Sequence, residues 1–322
     1  MNNYSWIDQK LHQIALKKKF IREATFDIES SIFSPKENSD KHIFIAGLAR
    51  AGTTVLLNAI HKSEEFASLS YEDMPFILAP NIWSMTKLKN QSEKYIERAH
   101  GDRLTISNKS PEAFEEIFWM TFNENNNRTA QKFSAFVNLI NHKYKKERYL
   151  SKNNQNIKRI ELINKIYPNS KIIIPFRDPI RHAYSLLEQH KRFINICKKD
   201  KFINNYIKWI GHKEFGPHYV PIFSKGVAYK KYLNHNHWLE QWYLTYKKQY
   251  SISKKNKNIY FISYEDLCQS KEYWIDLSNK LCLKKKYPFD FCESKNDPTV
   301  TYDNNLSQKA YKIYQELKNT SY

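Results

Sequence analysis

The sequence predicts an α/β fold: a P-loop-type central sheet of mostly parallel strands, flanked by helices and carrying helical insertions. In residues 42–61, a short apolar run leads through a glycine-bounded turn into a segment whose apolar residues have helical spacing. In residues 155–176, a helical segment, a Pro-Asn turn and another apolar run follow one another. Residues 258–263 form a further predicted strand. Strands that alternate with helices indicate a parallel sheet.

Length and composition are those of a globular chain. It has 322 residues, of which 41% are hydrophobic and 26% charged, enough for one large domain or two small ones. No apolar run approaches about 18 residues, so no membrane span is expected, and the N-terminus has no signal-peptide core. The four cysteines form no C-x-x-C pair and no zinc spacing. We therefore expect reduced thiols and no metal site.

The net charge of +19 suits a polyanionic ligand, an acidic acceptor or nucleic acid. The lysines are scattered along the chain rather than gathered in one segment, which is typical of a solvated surface. A nucleic-acid-binding protein remains an alternative, but no reader motif is present, and we expect no nucleic-acid partner.

The N-terminal segment predicts a helix over residues 4–22, because Ile7, Leu11 and Ile14 have helical spacing and three lysines follow. Two interpretations stay open. The helix either lies on a membrane surface as a peripheral contact or packs on the edge of the domain. Residues 23–41 are polar and predict a loop.

The turn between the first strand and its helix, residues 47–54, has the design of a phosphate-binding loop. Backbone N–H groups in such a turn and at the helix N-terminus point inward and hold an anion. A Walker A loop has Lys after its second glycine, whereas here Thr53 follows Gly52 and the cation is Arg50, inside the turn. A P-loop nucleoside or sugar kinase would need that missing lysine and is kept as an alternative.

The loop sequence Ala-Arg-Ala-Gly-Thr-Thr resembles the 5′-phosphosulfate loop of the sulfotransferases that use 3′-phosphoadenosine 5′-phosphosulfate (PAPS). The tyrosylprotein members and many bacterial and glycan members read close to Pro-Arg-Ser-Gly-Thr-Thr. The resemblance implies PAPS as co-substrate, 3′,5′-adenosine bisphosphate (PAP) as product, and no metal. It implies five donor-binding residues: Arg50, Ala51, Gly52, Thr53 and Thr54.

A carboxylate pair follows the predicted second strand, residues 66–70, at the crevice end of the sheet. In tyrosylprotein-type sulfotransferases a glutamate in this place is the general base, but the alignment needs a shift of one residue. The choice between Glu72 and Asp73 therefore stays open. Asp73 fits better as an N-cap of a helix starting at Pro75, which leaves Glu72 as the candidate base.

Two lysines compete for the family's catalytic cation. Lys109, within Ser-Asn-Lys-Ser-Pro, lies too far from the next motif, so we assign it to an insertion. Lys152 is followed by a helix, a Pro-Asn turn and the strand 171–176, and this spacing fits the family without gaps. The resemblance implies that Lys152, together with Arg50, acts on the bridging oxygen of the donor.

The strand 171–176 ends in Arg177-Asp178-Pro179, with Ser185 on the following helix. Asp178 can cap that helix, and proline suits its first turn. An arginine at the strand end with a serine on the next helix resembles the family's 3′-phosphate motif, which implies that Arg177 and Ser185 bind the donor.

Later segments add one donor-site residue and an unmatched insertion. The strand 258–263 and the Tyr-Glu-Asp-Leu after it resemble a late sulfotransferase segment in which Tyr264 helps to shape the nucleotide site. The insertion 191–257 is polar and aromatic and is interpreted as a lid or acceptor-binding loop. His212 and His218, within it, are either acceptor contacts or merely exposed.

Together the resemblance implies a single sulfotransferase domain over residues 1–322 that transfers the sulfuryl group of PAPS to an acceptor hydroxyl. Its parts are a core at 42–75 and 150–190, a helical insertion at 76–149, the insertion 191–257 and a closing part at 258–322. The acceptor is expected to be a glycan or surface polysaccharide; a small metabolite and a tyrosyl peptide remain alternatives. Golgi members carry a membrane anchor that this chain lacks, so a cytoplasmic location is expected. The oligomeric state is not predicted.

Overall fold

The structure is a computed structural model. It describes residues 5–33, 35, 39–86, 96–97, 105–122, 127–223, 232–292, 298 and 300–321. Parts of the predicted insertions, residues 87–95, 98–104, 123–126 and 224–231, lie outside the described residues.

The described helices, in chain order, are α1 (Trp6–Lys17), α2 (Lys19–Ile32), α3 (Thr53–His61), α4 (Pro80–Thr86), α5 (Glu116–Thr121), α6 (Asn127–Tyr144), α7 (Ile160–Ile166), α8 (Pro179–Lys199), α9 (Lys201–Trp209), α10 (His235–Ser253), α11 (Tyr264–Gln269), α12 (Lys271–Lys280) and α13 (Asn304–Thr320). The strands are β1 (Ile43–Ile45), β2 (Phe66–Ala67), β3 (Ile96–Glu97), β4 (Thr105–Ile106), β5 (Arg148–Lys152), β6 (Lys171–Phe176) and β7 (Ile259–Ser263). Short 3₁₀ turns occur at Tyr71–Asp73, Asn154–Lys158 and Gly216–His218.

Five strands form one sheet in the order β2-β5-β1-β6-β7, and each neighbouring pair is parallel. This confirms the predicted α/β class. Ile45, the last residue of β1, lies opposite both Lys152 of β5 and Ile173 of β6. The carboxyl ends of β1 and β5 are therefore level where the predicted phosphate-binding loop begins, while β6 continues beyond this point to Phe176. A separate antiparallel pair, β3 and β4, lies outside this sheet.

Both faces of the sheet are covered, as expected for parallel strands joined by helices. Alternate residues of β1 point to opposite sides: Phe44 belongs to a large aromatic cluster, while Ile43 and Ile45 pack with α3 and α12. All three are fully buried. The large cluster includes Trp238 and Trp242 of α10.

The predicted loop over residues 23–41 is wrong in its first part, because α2 extends to Ile32. One buried position of this helix is a carboxylate, which hides the apolar pattern. Glu29 is fully buried and accepts hydrogen bonds from the backbone N–H groups of Asn81 and Ile82 at 2.7 and 3.0 Å. A helix face completed by a buried acid cannot be found from hydrophobic spacing alone.

Strand β5 is absent from the sequence prediction, which leaves residues 148–152 as the end of an insertion and the approach to Lys152. In the structure these residues fill the place between β1 and β2. A strand buried on both faces usually reads as a continuous apolar run. Ser151 and Lys152 interrupt that run although both are buried.

The insertion between α8 and α10 is more helical than the predicted loop. Helix α8 continues to Lys199, and α9 follows after a single residue, Asp200, whose side chain accepts from the backbone N–H of Ile203. Phe215 is buried in the large aromatic cluster. The described part of this insertion is therefore a packed extension of the domain.

Candidate active site

The loop between β1 and α3 has the strained backbone of an anion-binding turn. Arg50 has a φ of 69° and Gly52 a φ of 87°, both in the left-handed region. That region disfavours residues with a side chain, so Arg50 is held there at an energetic cost. Gly52 is needed for a second reason: a Cβ atom built on it would lie 2.2 Å from Cδ2 of Tyr264. The ring of Tyr264 thus packs directly on the loop.

Arg50 contacts two other predicted donor-site residues. Its Nε–H donates to Oγ of Ser185 at 3.2 Å, and its backbone carbonyl accepts from Nη1 of Arg177 at 3.0 Å. Ser185 lies on α8, and Arg177 lies between β6 and that helix. The structure therefore brings the two predicted phosphate motifs, separated by more than a hundred residues in sequence, into direct contact.

Arg177 is a buried cation with donor capacity to spare. Its Nε–H is buried and has no hydrogen-bond partner among the residues that the structure describes. Its guanidinium carbon lies 5.7 Å from the centre of the Tyr264 ring. A buried guanidinium with an unused N–H fits an anionic ligand, because a planar fork of donors matches a phosphate.

His182 is a site residue that the sequence analysis does not identify. Its Nε2 lies 2.8 Å from the carbonyl oxygen of Ala49, at the start of the loop. Burial, with Arg177 and Arg50 nearby, lowers the pKa of His182 to about 3. The ring is therefore neutral at physiological pH, and its Nε2–H donates to the loop. The only sequence signal for His182 was its position on the helix that follows the Arg177 motif.

Lys152 occupies the end of β5, beside the last residue of β1. It is buried, and the next backbone N–H, that of Asn153, donates to the carbonyl of Ile45 at 3.1 Å. Oγ1 of Thr53 donates to Oδ1 of Asn154 at 3.4 Å, which ties the loop to the same segment. The structure thus places Lys152 next to the loop, and its joint role with Arg50 stays a prediction.

Two buried glutamates hold the segment after Lys152. Glu116 forms an ion pair with Arg159, with Nη1 at 2.7 Å and Nη2 at 3.1 Å from its two oxygens, and accepts from Asn153 Nδ2 at 3.0 Å. Glu115 accepts from Tyr149 OH at 3.1 Å and from Asn156 Nδ2 at 2.7 Å. These residues frame both ends of the turn that begins at Lys152, so its backbone is firmly anchored.

Glu72 and Asp73 have different surroundings. Asp73 is fully buried: it pairs with Lys143 and accepts from Tyr144 OH at 2.8 Å and from the Ser70 backbone N–H at 2.7 Å. Burial and the nearby carboxylate raise the pKa of Tyr144 well above its ordinary value, so its hydroxyl stays protonated and donates. Asp73 closes the turn at Ser70. The prediction that it caps a helix starting at Pro75 is wrong, because α4 begins at Pro80.

Glu72 is half-buried and turns toward a segment that the sequence analysis set aside as an insertion. Asn108 donates from Nδ2 to Glu72 Oε1 at 3.1 Å, and its carbonyl accepts from the Glu72 backbone N–H at 2.9 Å. Pro111 forms a bridge with Ser70. The segment lies outside the five-stranded sheet, yet it contacts the candidate base, Glu72. Lys109, which it carries, is exposed.

The two histidines of the long insertion contact residues of the same insertion. The His212 ring stacks on Phe193 with centroids 4.9 Å apart, and its Nδ1 lies 3.6 Å from Glu214. Nε2 of His218 lies 3.1 Å from Oδ1 of Asn204. Both rings are therefore engaged within the insertion itself.

A cavity of about 510 Å³ opens among α8, α11 and α13. Its charged lining comprises Asp178, Arg181, Glu265, Asp266 and Lys318. Carboxylates outnumber cations there, which does not suit a phosphate. Within the described ranges, no cluster of three or more His, Cys, Asp or Glu side chains is arranged to hold a metal ion. None of the helices in those ranges is both long and apolar enough to cross a bilayer.

The parallel sheet flanked by helices defines an α/β protein, and cations converge on the strained loop at the carboxyl end of β1. A profile described as the sulfotransferase family matches residues 42–205, half of the chain. The chain belongs to the sulfotransferase family.

Solved structures support the fold. Sulfotransferase STF1 from Mycobacterium tuberculosis aligns with a TM-score of 0.50 and 10% identity over 95% of this chain and 81% of that one. Sulfotransferase STF9 from Mycobacterium avium aligns at 0.46 and 10% identity, over 98% and 79%. At such identity the first match speaks for the fold alone, and the second is too distant to add to it. No curated protein matches this chain significantly.

Proposed function

We propose that this protein transfers the sulfuryl group of PAPS to an acceptor hydroxyl. The observation that carries the proposal is the contact of Arg50 with both Ser185 and Arg177 beside a loop with two left-handed residues. A donor with a 5′-phosphosulfate and a 3′-phosphate needs two anion sites close together. The loop supplies one, with Ala51, Gly52, Thr53 and Thr54 around the helix N-terminus. Arg177 and Ser185 supply the other.

The Nε–H of Arg177 supports this assignment, because a buried donor without a partner in the described part of the chain has lost its hydration without replacement. A 3′-phosphate would supply the missing acceptor. Tyr264, packed against Gly52 and facing Arg177, would form part of the wall of the nucleotide site.

Transfer requires the acceptor oxygen, the sulfur and the leaving phosphate oxygen to lie in line. The acceptor oxygen forms a bond to sulfur, the bond from sulfur to the 5′-phosphate oxygen breaks, and PAP leaves with the bonding electrons. Lys152, Arg50 and the loop N–H groups would stabilise that charge. Glu72 would take the acceptor proton. The ends of β2 and β5 are neighbours in the sheet, which brings Glu72 and Lys152 to the same edge.

We propose a glycan or surface polysaccharide as the acceptor and the cytoplasm as the location. The abundance of aromatic residues, 15% of the chain, suits stacking on sugar rings. The choice of acceptor follows the resemblance to family members that modify glycans, and it is tested separately from the donor.

The donor is tested by thermal stability with two nucleotides. PAP should stabilise the folded protein by about 3 kcal/mol at 100 times its dissociation constant, and AMP far less, because AMP lacks the 3′-phosphate. Equal shifts with PAP and AMP would remove the assignment of Arg177 and Ser185. Turnover with ATP and magnesium, and none with PAPS, would establish a kinase instead. Transfer of labelled sulfate from PAPS to polysaccharides, tyrosyl peptides and small alcohols then identifies the acceptor class.

A further inference from the structure

The two N-terminal helices carry an unusual concentration of exposed apolar side chains. On α1, Trp6, Ile7 and Ile14 are 72%, 71% and 55% exposed, and Phe20, at the start of α2, is 76% exposed. The opposite side of α1 is buried: His12, Ala15 and Leu16 face the domain, and the His12 ring lies 5.8 Å from that of Tyr206 on α9. The helix is thus firmly seated, and its outward face is apolar as well.

Cations border this outward face. Ile7 and Ile14 lie about two helical turns apart on one side of α1, with Lys10 between them and Lys17 and Lys18 just beyond. All three lysines are exposed, and the Lys10 ammonium lies 5.8 Å from the Trp6 ring. The single acid of α1, Asp8, closes a capping box with Ser5 at the helix start.

We propose that this face of α1, which we call the N-terminal docking face (Trp6, Ile7, Lys10, Ile14, Lys17 and Lys18), binds the surface of an anionic lipid bilayer. An apolar stripe bordered by lysines is the pattern of a helix that lies in the interface plane, with apolar side chains in the acyl boundary and ammonium groups at the headgroups. The cations favour anionic lipid over a second copy of this chain, whose own face is equally basic. The overall charge of +19 adds attraction at longer range.

The test is flotation of the full chain with vesicles of phosphatidylcholine alone and with about a third phosphatidylglycerol. We expect binding to the anionic vesicles only, weakened by salt. Ile7→Ser with Ile14→Ser should lower the partition coefficient about tenfold or more. Lys10→Glu, Lys17→Glu and Lys18→Glu together should lower it about 100-fold. These side chains are exposed, so melting temperatures should not change.

A charge-matched control is Lys254→Glu, Lys255→Glu and Lys257→Glu, three exposed lysines at the end of α10 and beyond. If this control loses binding as strongly as the α1 variant, only general basicity is at work and the proposal fails. It also fails if the wild type ignores anionic vesicles, or if it forms dimers in sedimentation that Ile7→Ser with Ile14→Ser dissolves. The last result would make a second copy the occupant.

A second inference rests on the proposed function and concerns Asn108. Its Nδ2–H donates to Glu72 Oε1, and its carbonyl holds the Glu72 backbone N–H. Its Oδ1 is buried without a partner among the described residues. A buried acceptor left unsatisfied is costly, and such groups call for an explanation beyond stability. We propose that Asn108 is a positioning residue that fixes the carboxylate of Glu72 for proton abstraction.

Asn108→Ala should lower kcat about tenfold or more with little change in KM for PAPS, since one charge-assisted hydrogen bond is lost. The acidic limb of the pH–rate profile should move to higher pH, because the charged carboxylate loses a donor. Asn108→Asp, which has the same shape but cannot donate, should not restore the rate. Asn164→Ala, which removes a comparable amide bond to Asn256, is the control and should keep both rate and profile.

The outcomes separate this inference from the proposed function. If Glu72→Gln is inactive while Asn108→Ala keeps the wild-type rate and pH profile, the positioning role is wrong and the function stands. If Asn108→Ala merely melts earlier with unchanged kcat, its role is structural and the inference is overturned. If Glu72→Gln is fully active, the base assignment fails first.

Discussion

The two sides of the candidate site are built differently. The proposed donor side consists of residues at the carboxyl ends of β1, β6 and β7, at the centre and one edge of the sheet, and Arg50 contacts Ser185 and Arg177 there. The acceptor side lies at the opposite edge, after β2, which has only two residues. There, Glu72 is supported by Asn108, from a segment more than thirty residues later.

This difference indicates that the two sides have different structural requirements. The donor side is rigid because strained loop residues, a neutral histidine and a buried arginine fix one another, as a site for a shared co-substrate requires. The acceptor side depends on two chain segments, which are linked by the Ser70–Pro111 bridge, by the Glu72–Asn108 contacts and by hydrogen bonds from Glu112 to Leu69 and from Tyr71 to Glu112. Variants can show whether the residues that affect turnover and those that affect stability are separated in the same way.

The largest effect is expected at Glu72. Glu72→Gln keeps the shape but removes the base, so turnover should fall roughly 10²–10⁴-fold, while PAP affinity should barely change. Asp73→Asn should instead lower the free energy of unfolding by about 3 kcal/mol, because it weakens a buried pair with Lys143. Turnover per folded molecule should then remain. If Asp73→Asn is fully folded but inactive while Glu72→Gln is active, Asp73 is the base and Glu72 has the structural role.

The next effect distinguishes the two lysines. Lys152→Ala should lower turnover about 10²–10³-fold, the usual worth of one group that stabilises developing charge. Lys109→Ala serves as the control and should stay near wild type, because Lys109 is exposed and lies in the segment that the sequence assigns to an insertion. Steady-state rates at saturating PAPS decide the matter. Loss of activity in Lys109→Ala alone would move the catalytic cation to the acceptor side.

A smaller effect, on stability, is expected at Glu116. Glu116→Gln leaves the buried guanidinium of Arg159 without its counter-ion and should lower the free energy of unfolding by about 3–5 kcal/mol. Urea denaturation measures this. The same variant should reduce turnover only in proportion to the folded fraction, unless the turn after Lys152 relaxes. An unchanged urea midpoint would show that the pair contributes nothing net.

The smallest effect for a single side chain is that of pH, counted per pH unit. Burial lowers the pKa of His42, His190 and His237 to about 4 each. These rings are neutral in the folded chain and protonate near pH 6.5 when it unfolds. Stability is therefore complete above pH 6.5 and falls toward pH 4, by about 1.4 kcal/mol per pH unit for each ring. Urea midpoints at pH 8, 6 and 5 check this, and a midpoint that rises on acidification would contradict it.

The donor side was predictable because its signals are local. The loop at 47–54 and the Arg177–Ser185 pair each lie within one strand–turn–helix unit, where spacing fixes geometry. That the two units touch through Arg50 follows from the pairing of β1 with β6, which short-range patterns do not show. The roles of the individual residues remain predictions.

The acceptor side and the buried ionic groups of the domain were not predictable in the same way. Glu29, Glu115 and Glu116 are buried acids in helices or at their starts, and Lys152 is a buried cation in a strand. Each one breaks the apolar pattern from which elements are inferred, and the three acids are paired with residues distant in sequence. The contact between Asn108 and Glu72 depends on chain folding over that distance, so the sequence offered Lys109 only as a competing motif.

The packing of Tyr264 on Gly52 has an evolutionary consequence. No side chain fits at position 52 while a large ring occupies position 264, because a Cβ atom there would lie 2.2 Å from the ring. Relatives that replace this glycine must therefore also shrink the residue at 264. The two positions lie in the first and last βα units of the sheet, and an exchange of Gly52 without a smaller residue at 264 would be purged rather than inherited.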